Sequence, residues 1–580
     1  PYLSEAIAID AAIDSVLWLK EEGHWAEFKD TMGKKRLHPD AALWTIYHAI
    51  DSEVGDPLSR YAAAGYIGSS IPHIPVGEFE GEEYSTVSTT DWKPYSWSIN
   101  NVAIAEVMHT ALALWQAGRS DEAYQLMTAC ALDNMYQGAS PLNFGQISQY
   151  DAARGECYRD FADPIGVWSR ALTEGLFGIR PDLLDKKVVE IIPGFPSDWD
   201  DASISLPDIS YSFHRSADGD TSTYNIQNRY PGQPPISLVI PASGRLEVTV
   251  NGISARYTSE PFAFNAPKIR VSIPSEELSE VVVRRIDRGQ MIRPTGRVER
   301  RSENCKFAEM TNGEQTWWNV IEYPAERKIE IAAGFDSIPS NFETVDLSKN
   351  FNARLNDLFR QEYVSPAPLS TTLRIPKHGI GEWCHPKDTA HVDNSGLRRL
   401  ASRAGGVFTT SLGIPLRLAT EGNDIIFTSL WDNYPDSITI PVDGNGSNLY
   451  LALAGTCNHM QHRMESGIIT VNYSDGSFER VPLISPYNWA PIEQDFFNDE
   501  YAFNNQRIPS PMRLHLKTGI TSRQLSDQLD ITGVYGRRIE DGAGVLVDIP
   551  LDPSKRVISL TLETLSNDVI IGLMGLTFGK

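Results

Sequence analysis

Residues 101–118, NVAIAEVMHTALALWQAG, carry the clearest secondary-structure pattern in the chain. Apolar side chains recur every three or four residues along this stretch, which is the spacing of one face of an α-helix. Gly118 follows the last periodic residue, in the position where glycine commonly ends a helix. The stretch therefore predicts an amphipathic helix that begins at Asn100 or Asn101 and ends at Gly118.

Similar helical patterns lie on both sides of this stretch. The chain starts at Pro1 and enters one almost at once, so we expect a processed or partial piece of a longer protein. Asp40 and Asp121 each precede another pattern as a possible N-cap, and a last pattern spans about 165–177. About six helices are thus predicted before residue 185, and their alternating short and long connections favour helix pairs that close into a toroid.

The pattern changes to a period of two after about residue 185, which is typical of strands. Examples are residues 246–250, 449–454 and 467–473, and the turn at 474–477 predicts a hairpin. We therefore expect part of an (α/α)6 toroid followed by two β-sandwich, jelly-roll-like domains. The predicted divisions are a helical catalytic region at 1–185, a β-sandwich at 186–288, a linker or strap at 289–365 and a carbohydrate-binding-module-like β-sandwich at 366–580.

The composition excludes several classes of function. The 580 residues include 51 Lys and Arg against 75 Asp and Glu, and this formal charge of −24 disfavours nucleic acid and anionic membranes. No run of 18 apolar residues is present, so we expect no membrane span. Five scattered cysteines form no CxxC motif, and a local cluster around His391 lacks matching ligands elsewhere. We expect neither a metal nor a cofactor.

Two segments combine carboxylates with aromatic side chains, as glycoside hydrolysis requires. Asp51 and Glu53 lie where a predicted helix ends, and the alternative for this segment is helix capping with an ion pair to Arg60. The second segment carries four candidate sugar-binding residues. These residues are Asp91, Trp92, Tyr95 and Trp97. The alternative is that this loop folds back onto the helix ends and does not bind a sugar.

A third segment, residues 154–171, places a carboxylate in a glycine-flanked loop before a helix. Glu156 occupies the exposed and well-held position that a general base needs, with Arg154 and Trp168 as further substrate contacts. The alternative is a surface glutamate paired with Arg154 or Arg159.

Several short motifs resemble those of known sugar-processing enzymes. LFGIRP at 176–181 followed by IIP at 191–193 resembles the end of the barrel in bacterial α-L-rhamnosidases, and KPYSW at 93–97 resembles a loop of (α/α)6 glycosidases. Residues 451–461 and 488–495 are similar to an uncharacterised debranching-enzyme-like family of gut Bacteroidetes. This resemblance implies the C-terminal half of a six-hairpin toroid, completed by a preceding segment or a second chain, in the periplasm or outside a bacterial cell.

The resemblance also implies an inverting glycoside hydrolase that acts on plant or host oligosaccharides or polysaccharides. Glu156 is then the general base, and Asp51 or Glu53 is the general acid. Two alternatives stay open. One is a polysaccharide lyase that uses Tyr47, His48 and Arg60, and the other is a non-catalytic glycan-binding protein.

Overall fold

The computed structural model describes residues 2–31, 33–79, 81–92, 99–136, 148–153, 163–287, 291–303, 305–322, 329–331, 334–359, 391–430, 434–458, 461–502, 508–532 and 537–580. In this structure, strands account for 39% of the residues and helices for 21%. The protein is therefore mainly a β protein.

The helices are concentrated before residue 177. The α-helices are α1 (Tyr2–Leu17), α2 (Leu43–Asp51), α3 (Pro57–Ser70), α4 (Ile104–Gln116), α5 (Ser120–Ala131), α6 (Gln149–Ala153), α7 (Asp163–Arg170) and α8 (Ser395–Arg403). Two π-helical turns (Leu132–Tyr136 and Ala171–Leu176) continue α5 and α7, and two 3-10 turns lie at Leu355–Asp357 and Leu525–Asp527.

Strands run through the whole chain. The first twelve are β1 (Trp18–Leu19), β2 (His24–Trp25), β3 (Phe28–Lys29), β4 (Leu37–His38), β5 (His73–Phe79), β6 (Glu82–Val87), β7 (Ile179–Asp182), β8 (Val188–Ile191), β9 (Asp201–Ser205), β10 (Ile209–Arg215), β11 (Thr221–Asn228) and β12 (Ile236–Pro241). The next eleven are β13 (Arg245–Val250), β14 (Ile253–Ser254), β15 (Tyr257–Ser259), β16 (Lys268–Ile273), β17 (Leu278–Asp287), β18 (Arg293–Ser302), β19 (Cys305–Thr311), β20 (Thr316–Glu322), β21 (Phe342–Val345), β22 (Val407–Thr409) and β23 (Pro415–Arg417). The last ten are β24 (Ile426–Ser429), β25 (Ser437–Gly444), β26 (Asn448–Cys457), β27 (Glu465–Tyr473), β28 (Phe478–Ile484), β29 (Met512–His515), β30 (Thr521–Ser522), β31 (Ala543–Pro550), β32 (Val557–Thr564) and β33 (Val569–Gly579).

The chain forms two compact units. The first comprises Pro1–Ala26, Ala41–Thr89 and Val102–Arg327, and the second comprises Glu27–Asp40, Thr90–Asn101 and Lys328–Lys580. Short segments near the N-terminus thus belong to the unit that is otherwise built from the C-terminal half of the chain.

The first unit contains α1–α7 and three larger sheets. A six-stranded antiparallel sheet has the order β14-β13-β17-β11-β10-β9, and a five-stranded sheet has the order β15-β16-β12-β8-β7. In the second of these sheets only β8 and β12 run parallel among the paired strands. A three-stranded sheet, β18-β19-β20, completes the set.

The central helix of the first unit is α4. It contacts α2, α5 and α7, and nine of its thirteen side chains are buried. Gly118 adopts a positive φ of 88° just after it, in the position predicted from the sequence. The four remaining side chains of α4 are half-buried, and the three polar ones, Glu106, His109 and Gln116, belong to the candidate site described below.

The second unit is built on two sheets. One contains seven strands in the order β21-β33-β26-β31-β29-β30, with β24 also paired to β33, and the other is β25-β32-β27-β28. Leu451 and Ile571 of the first sheet pack in one buried cluster with Ile469 and Leu562 of the second. A separate cluster covers the opposite face of the seven-stranded sheet and includes Leu397 of α8. Because this sheet is covered on both faces, all eleven residues of β33 are buried.

The strands expected from two-residue periodicity are present. Residues 246–250, 449–454 and 467–473 lie within β13, β26 and β27. The turn at 474–477 joins β27 to β28, and Gly476 has a φ of 86° there. None of the helices in the described ranges is long and apolar enough to cross a membrane.

The structure contradicts the predicted (α/α)6 toroid. The α-helices before residue 171 are five to sixteen residues long and are interrupted by six short strands. Residues 68–98, one of the long connections expected between the helices, contain the hairpin β5–β6, and α1 has no buried residue. Helical periodicity shows that one face of a helix is covered, but it does not show which element covers it. The expectation of a preceding segment or second chain that completes a toroid falls with the toroid.

The resemblance to α-L-rhamnosidases, to other six-hairpin glycosidases and to the debranching-enzyme-like family is wrong for the same reason. LFGIRP at 176–181 is a turn from a π-helical turn into β7, and IIP at 191–193 follows the hairpin partner β8. Gly178 has a φ of 65°, and a Cβ there would lie 1.9 Å from the Ile192 carbonyl oxygen. The motif reflects this tight local turn and does not require a helical barrel.

Candidate active site

Asp51 ends α2 and is held by side chains from α4 and α7. The Arg170 guanidinium donates from Nη1 to Oδ2 at 2.8 Å and from Nη2 to Oδ1 at 2.7 Å. Gln116 Nε2 donates to Oδ1 at 2.7 Å, and His109 Nε2 lies 3.3 Å from Oδ2. Burial alone would raise the pKa of Asp51, but the hydrogen bonds from His109, Arg170 and Gln116 outweigh it and hold that pKa well below its usual range. Asp51 is therefore ionised at any ordinary pH.

Glu106, on α4, is a second carboxyl group in this cluster, and its pKa is shifted in the opposite direction. Burial raises the pKa of Glu106, although a hydrogen bond from the Tyr47 hydroxyl and the charge of His109 act in the other direction. The Tyr47 ring stacks on His109 with ring centroids 4.2 Å apart. Burial and the Glu106 carboxylate raise the pKa of Tyr47 far above its usual value, so its hydroxyl remains a donor. Two carboxyl groups thus have pKa values shifted in opposite directions, and His109 lowers both, by a hydrogen bond to Asp51 and by its charge at Glu106.

His48 lies at the edge of this cluster. His48 is exposed on α2, and its ring lies 5.4 Å from that of His109 in an edge-on arrangement. Burial, followed by the neighbouring His109, lowers the pKa of His48. A neutral imidazole at this position can accept a proton at neutral pH.

Asp51 also faces a cavity of about 510 Å³ in the first unit. Five carboxylates and five cations line it, together with three aromatic rings. The ionisable residues are Asp51, Glu53, Arg60, Arg170, Glu174, Arg180, Glu190, Glu260, Lys268 and Arg270, and the aromatic residues are Trp115, Phe262 and Phe264. A volume of this size suits a small-molecule ligand.

Glycines at two positions fit the chain around Trp115 in the cavity wall. Added Cβ atoms at Gly175 and Gly194 would lie 2.4 Å and 2.3 Å from the indole ring. Trp115 Nε1 donates to the Gly194 carbonyl oxygen at 2.9 Å. The ring therefore joins α4 to the segments on either side of the β7–β8 hairpin, which carries Arg180 and Glu190.

Glu53 occupies the same cavity in a strained backbone conformation. Its φ is 57°, the left-handed region, directly after the C-cap of α2. The Glu53 amide donates to the Ile50 carbonyl oxygen at 3.0 Å, and the Val54 amide donates to the Ala49 carbonyl oxygen at 2.9 Å. Glycine is the usual residue in such a helix end. A glutamate here costs stability, and strain of this kind is concentrated at functional sites.

The structure brings together part of the set predicted from the sequence. Asp51 and Glu53 line the cavity, and Trp168 is half-buried on α7. Their catalytic and binding roles stay predictions, but the low pKa of Asp51 argues against its use as a general acid. Glu156, Arg154, Tyr95 and Trp97 lie outside the described residues.

Asp91 and Trp92 belong to the second unit, where both are buried. Asp91 pairs with the Arg463 guanidinium, which also lies 3.8 Å from Asp40. Trp92 is fully buried, and its indole nitrogen donates to the Asp40 carbonyl oxygen at 3.1 Å. Their role in substrate binding stays a prediction, which this burial disfavours.

Asp40, Asp91 and His462 present ligand atoms within 4.8 Å of one another. The Arg463 guanidinium supplies positive charge at the same place, because Asp40 and Asp91 together raise its pKa against the effect of its burial. This cluster is explained as a buried ion-pair network.

Sequence reasoning missed Glu106, His109, Arg170, Arg180 and Lys268. The pattern on α4 contained a usable indication, because Glu106, His109 and Gln116 interrupt an apolar helix at spacings of three and seven residues. These spacings place polar groups on one face. Arg180 lies within LFGIRP, but nothing local in the sequence shows that Lys268 lies across the same cavity.

Comparisons with known proteins give no basis for assigning a function, which therefore has to be inferred from the geometry of the site. No protein-family model matches the chain, and no curated protein is detectably similar to it.

Proposed function

We propose that the protein is a glycoside hydrolase that cleaves oligosaccharides or polysaccharide fragments with a pair of carboxyl groups. The observation that carries the proposal is the side-chain cluster around His109, in which Arg170 and His109 contact Asp51 and the Tyr47 hydroxyl donates to Glu106. In this cluster the pKa is raised for Glu106 and lowered for Asp51. Glycoside hydrolysis needs one carboxyl group that holds a proton and another that is ionised. Groups whose environments separate their pKa values in this way are candidates for these two roles.

Glu106 is the proposed general acid. Its raised pKa keeps a proton available at a higher pH than an ordinary glutamate allows, and the Tyr47 hydroxyl occupies only Oε2. Asp51 is the proposed positioning anion, because Arg170 engages both of its oxygens. Its charge fixes His109 and Arg170 beside the cavity.

Glu53 and Glu156 are the proposed candidates for the general base. Glu53 faces the cavity, and the described part of the chain holds no cation within 4.0 Å of its carboxylate. Glu156 is the base that the sequence predicts. An inverting mechanism would use either residue to activate water on the face of the sugar opposite the acid.

The test is a screen of chromogenic glycosides and of plant and host glycans, with released reducing ends as the readout. We expect Glu106→Gln to lower kcat/KM by about 100-fold or more, as loss of a general acid does. Loss of activity with Glu53→Gln or with Glu156→Gln then identifies the base. Glu247→Gln is the matched control, because Glu247 is exposed on β13 away from the cavity.

The pH profile gives a second readout that a structural role would not change. Because the acid must be protonated, activity should fall as the pH rises above the raised pKa of Glu106. Absence of glycan cleavage by the wild-type protein, or full activity of Glu106→Gln, would overturn the proposal. Glycan binding without cleavage would instead favour a binding protein.

A polysaccharide lyase is the second candidate, and one observation favours it. His48, with its lowered pKa, lies beside Tyr47 and His109, and Arg170 contacts Asp51 in the same cluster. Lyases combine such a base with an arginine that neutralises a uronate. The same screen separates the two reactions. A lyase produces an unsaturated uronate with a new ultraviolet absorbance, whereas a hydrolase produces none.

Cleavage of extracellular glycans places such an enzyme in the periplasm or outside the cell. We include this location in the proposal, and fractionation of the native host cell tests it.

A further inference from the structure

The cavity wall separates its charges into two groups. Arg170 binds both Asp51 and Glu174, with Nε donating to Glu174 Oε2 at 3.0 Å. Arg270 binds both Glu190 at 2.7 Å and Glu260 at 3.1 Å. Two arginines therefore satisfy four of the five carboxylates by direct contact.

Three cations remain in the wall without such a contact. Arg60 Nη1 donates to the Gly55 carbonyl oxygen at 3.3 Å, and Arg180 Nε donates to the Glu174 carbonyl oxygen at 3.1 Å. Among the described residues, no carboxylate oxygen lies within 4.0 Å of the charged nitrogens of Arg60, Arg180 or Lys268. Their remaining N–H groups are available to a ligand.

These three cations are also half-buried. Burial lowers the pKa of each, and the charge of Arg180 lowers the pKa of Lys268 further, although more distant carboxylates partly oppose this effect at all three. Partly desolvated cations without a contacting carboxylate, two of which repel each other, are stabilised by an anion bound beside them.

The rest of the wall offers an apolar surface beside these donors. Phe262 is 40% exposed, and Phe264 and Trp115 line the same cavity. An aromatic ring with polar donors around it is an arrangement that suits a ligand with both an apolar face and charged or hydroxyl groups.

We propose that this cavity binds an acidic saccharide, with its carboxylate or sulfate group held by Arg60, Arg180 and Lys268 and its ring against Phe262. The identification of the ligand as a sugar rests on the proposed function. The requirement for an anionic group rests on the three cations alone.

Local structure fixes the positions of two of these donors. Arg180 lies on β7, two residues after Gly178, whose left-handed φ allows the strand to pass close to the Ile192 carbonyl oxygen. Lys268 is the first residue of β16, in the same five-stranded sheet as β7. The sheet therefore holds both donors on a common support.

The experiment uses monosaccharides, which have no glycosidic bond to cleave, so it reports binding apart from hydrolysis. The ligands are D-glucuronate, D-galacturonate and galactose 6-sulfate, compared with glucose and galactose, and affinity is measured by calorimetry on the full chain. We expect at least one acidic sugar to bind about tenfold more tightly or better than its neutral counterpart, because each hydrogen bond involves a charged group. The carboxylated and sulfated ligands distinguish the two sources of the anion.

Lys268→Met and Arg180→Met should each weaken acidic sugar binding by about tenfold or more, with little effect on neutral sugars. Arg284→Gln is the control, since Arg284 is exposed on β17 outside the cavity. If thermal melting shows that Arg180→Met is poorly folded, Arg60→Gln replaces it. Equal affinity for acidic and neutral sugars, or no effect of the Lys268 variant, would overturn the inference.

The two proposals fail separately. Cleavage of a neutral glycan without acidic sugar binding would remove the inference and leave the hydrolase intact. Acidic sugar binding without glycan cleavage would remove the proposed hydrolase activity and leave the inference about the acidic ligand intact.

Discussion

Replacement of Glu53 by glycine should stabilise the protein and, where Glu53 rather than Glu156 is the general base, remove its activity at the same time. Glu53 has a φ of 57° at the end of α2, where the Glu53 and Val54 amides close the helix onto the Ile50 and Ala49 carbonyl oxygens. A residue with a Cβ pays about 1 kcal/mol or more for this left-handed conformation, and glycine does not. The carboxylate of Glu53 lines the cavity, so the same change removes a candidate base.

The stability gain can be estimated from these facts. Relief of the backbone strain is worth about 1 kcal/mol, and the greater freedom of glycine in the unfolded chain takes back part of it. No contact ion pair is lost, because no cation among the described residues lies within 4.0 Å of the Glu53 carboxylate, and only its longer-range attraction to cations such as Arg60 and Arg180 is given up. A net gain of about 0.5–1 kcal/mol in the free energy of unfolding is expected.

The measurement compares three variants by urea unfolding and by glycan cleavage. Glu53→Gly should gain stability and lose activity, whereas Glu53→Ala should lose activity with no gain, because alanine keeps the strain. Gln233→Gly, at another non-glycine position with a positive φ of 43°, should gain stability and keep activity. A Glu53→Gly variant that is no more stable than Glu53→Ala would refute the strain argument, and one that keeps full activity would refute the role of the carboxylate.

Two further predictions concern the second unit. Glu493 is fully buried and accepts hydrogen bonds from Thr456, and burial raises its pKa to about 7. The unfolded chain releases this proton near the ordinary glutamate pKa, so the free energy of unfolding should fall by about 3 kcal/mol as the pH rises from 4.5 to 7. Glu493→Gln should abolish that fall while the exposed control Glu421→Gln keeps it, and parallel pH profiles of wild type and Glu493→Gln would contradict the assignment. Asp91→Asn breaks the buried contact with Arg463 and should cost about 3 kcal/mol in urea unfolding, whereas Asp443→Asn in the exposed pair with Arg556 should cost less than about 1 kcal/mol. Equal costs for the two variants would show that the buried pair contributes no more to stability than the exposed pair.

The strands of this fold were accessible from the sequence, but its architecture was not. Residues 467–473 alternate, and the turn at 474–477 has hairpin residues, so local chemistry is enough to predict β27 and β28. The helix α4 was equally clear from its periodicity. Which elements cover a helix depends on contacts between residues far apart in the sequence, and periodicity does not contain that information. The hairpin β5–β6, within what was predicted to be a loop, shows how the toroid interpretation went wrong.

The candidate site was predictable to a similar extent. Carboxylates at a helix end drew attention to Asp51 and Glu53, and both line the cavity. Their environments could not be predicted, because Arg170 is 119 residues from Asp51. The buried state of Asp91 and Trp92 was also hidden, since the chemistry that suits a sugar platform equally suits a buried ion pair and a core indole.

The short motif LFGIRP is explained by a local turn of the backbone and not by membership of a family. It suggested a helical barrel, but its glycine is required by one close backbone approach between Gly178 and Ile192. That requirement is met by any chain that turns from a helix into a strand in this way, so the motif does not identify a family. Its position still has a consequence, because the turn directs β7 along the cavity wall and places Arg180 there. The part of the sequence that misled the fold assignment therefore supplies one of the three cations on which the anionic ligand depends.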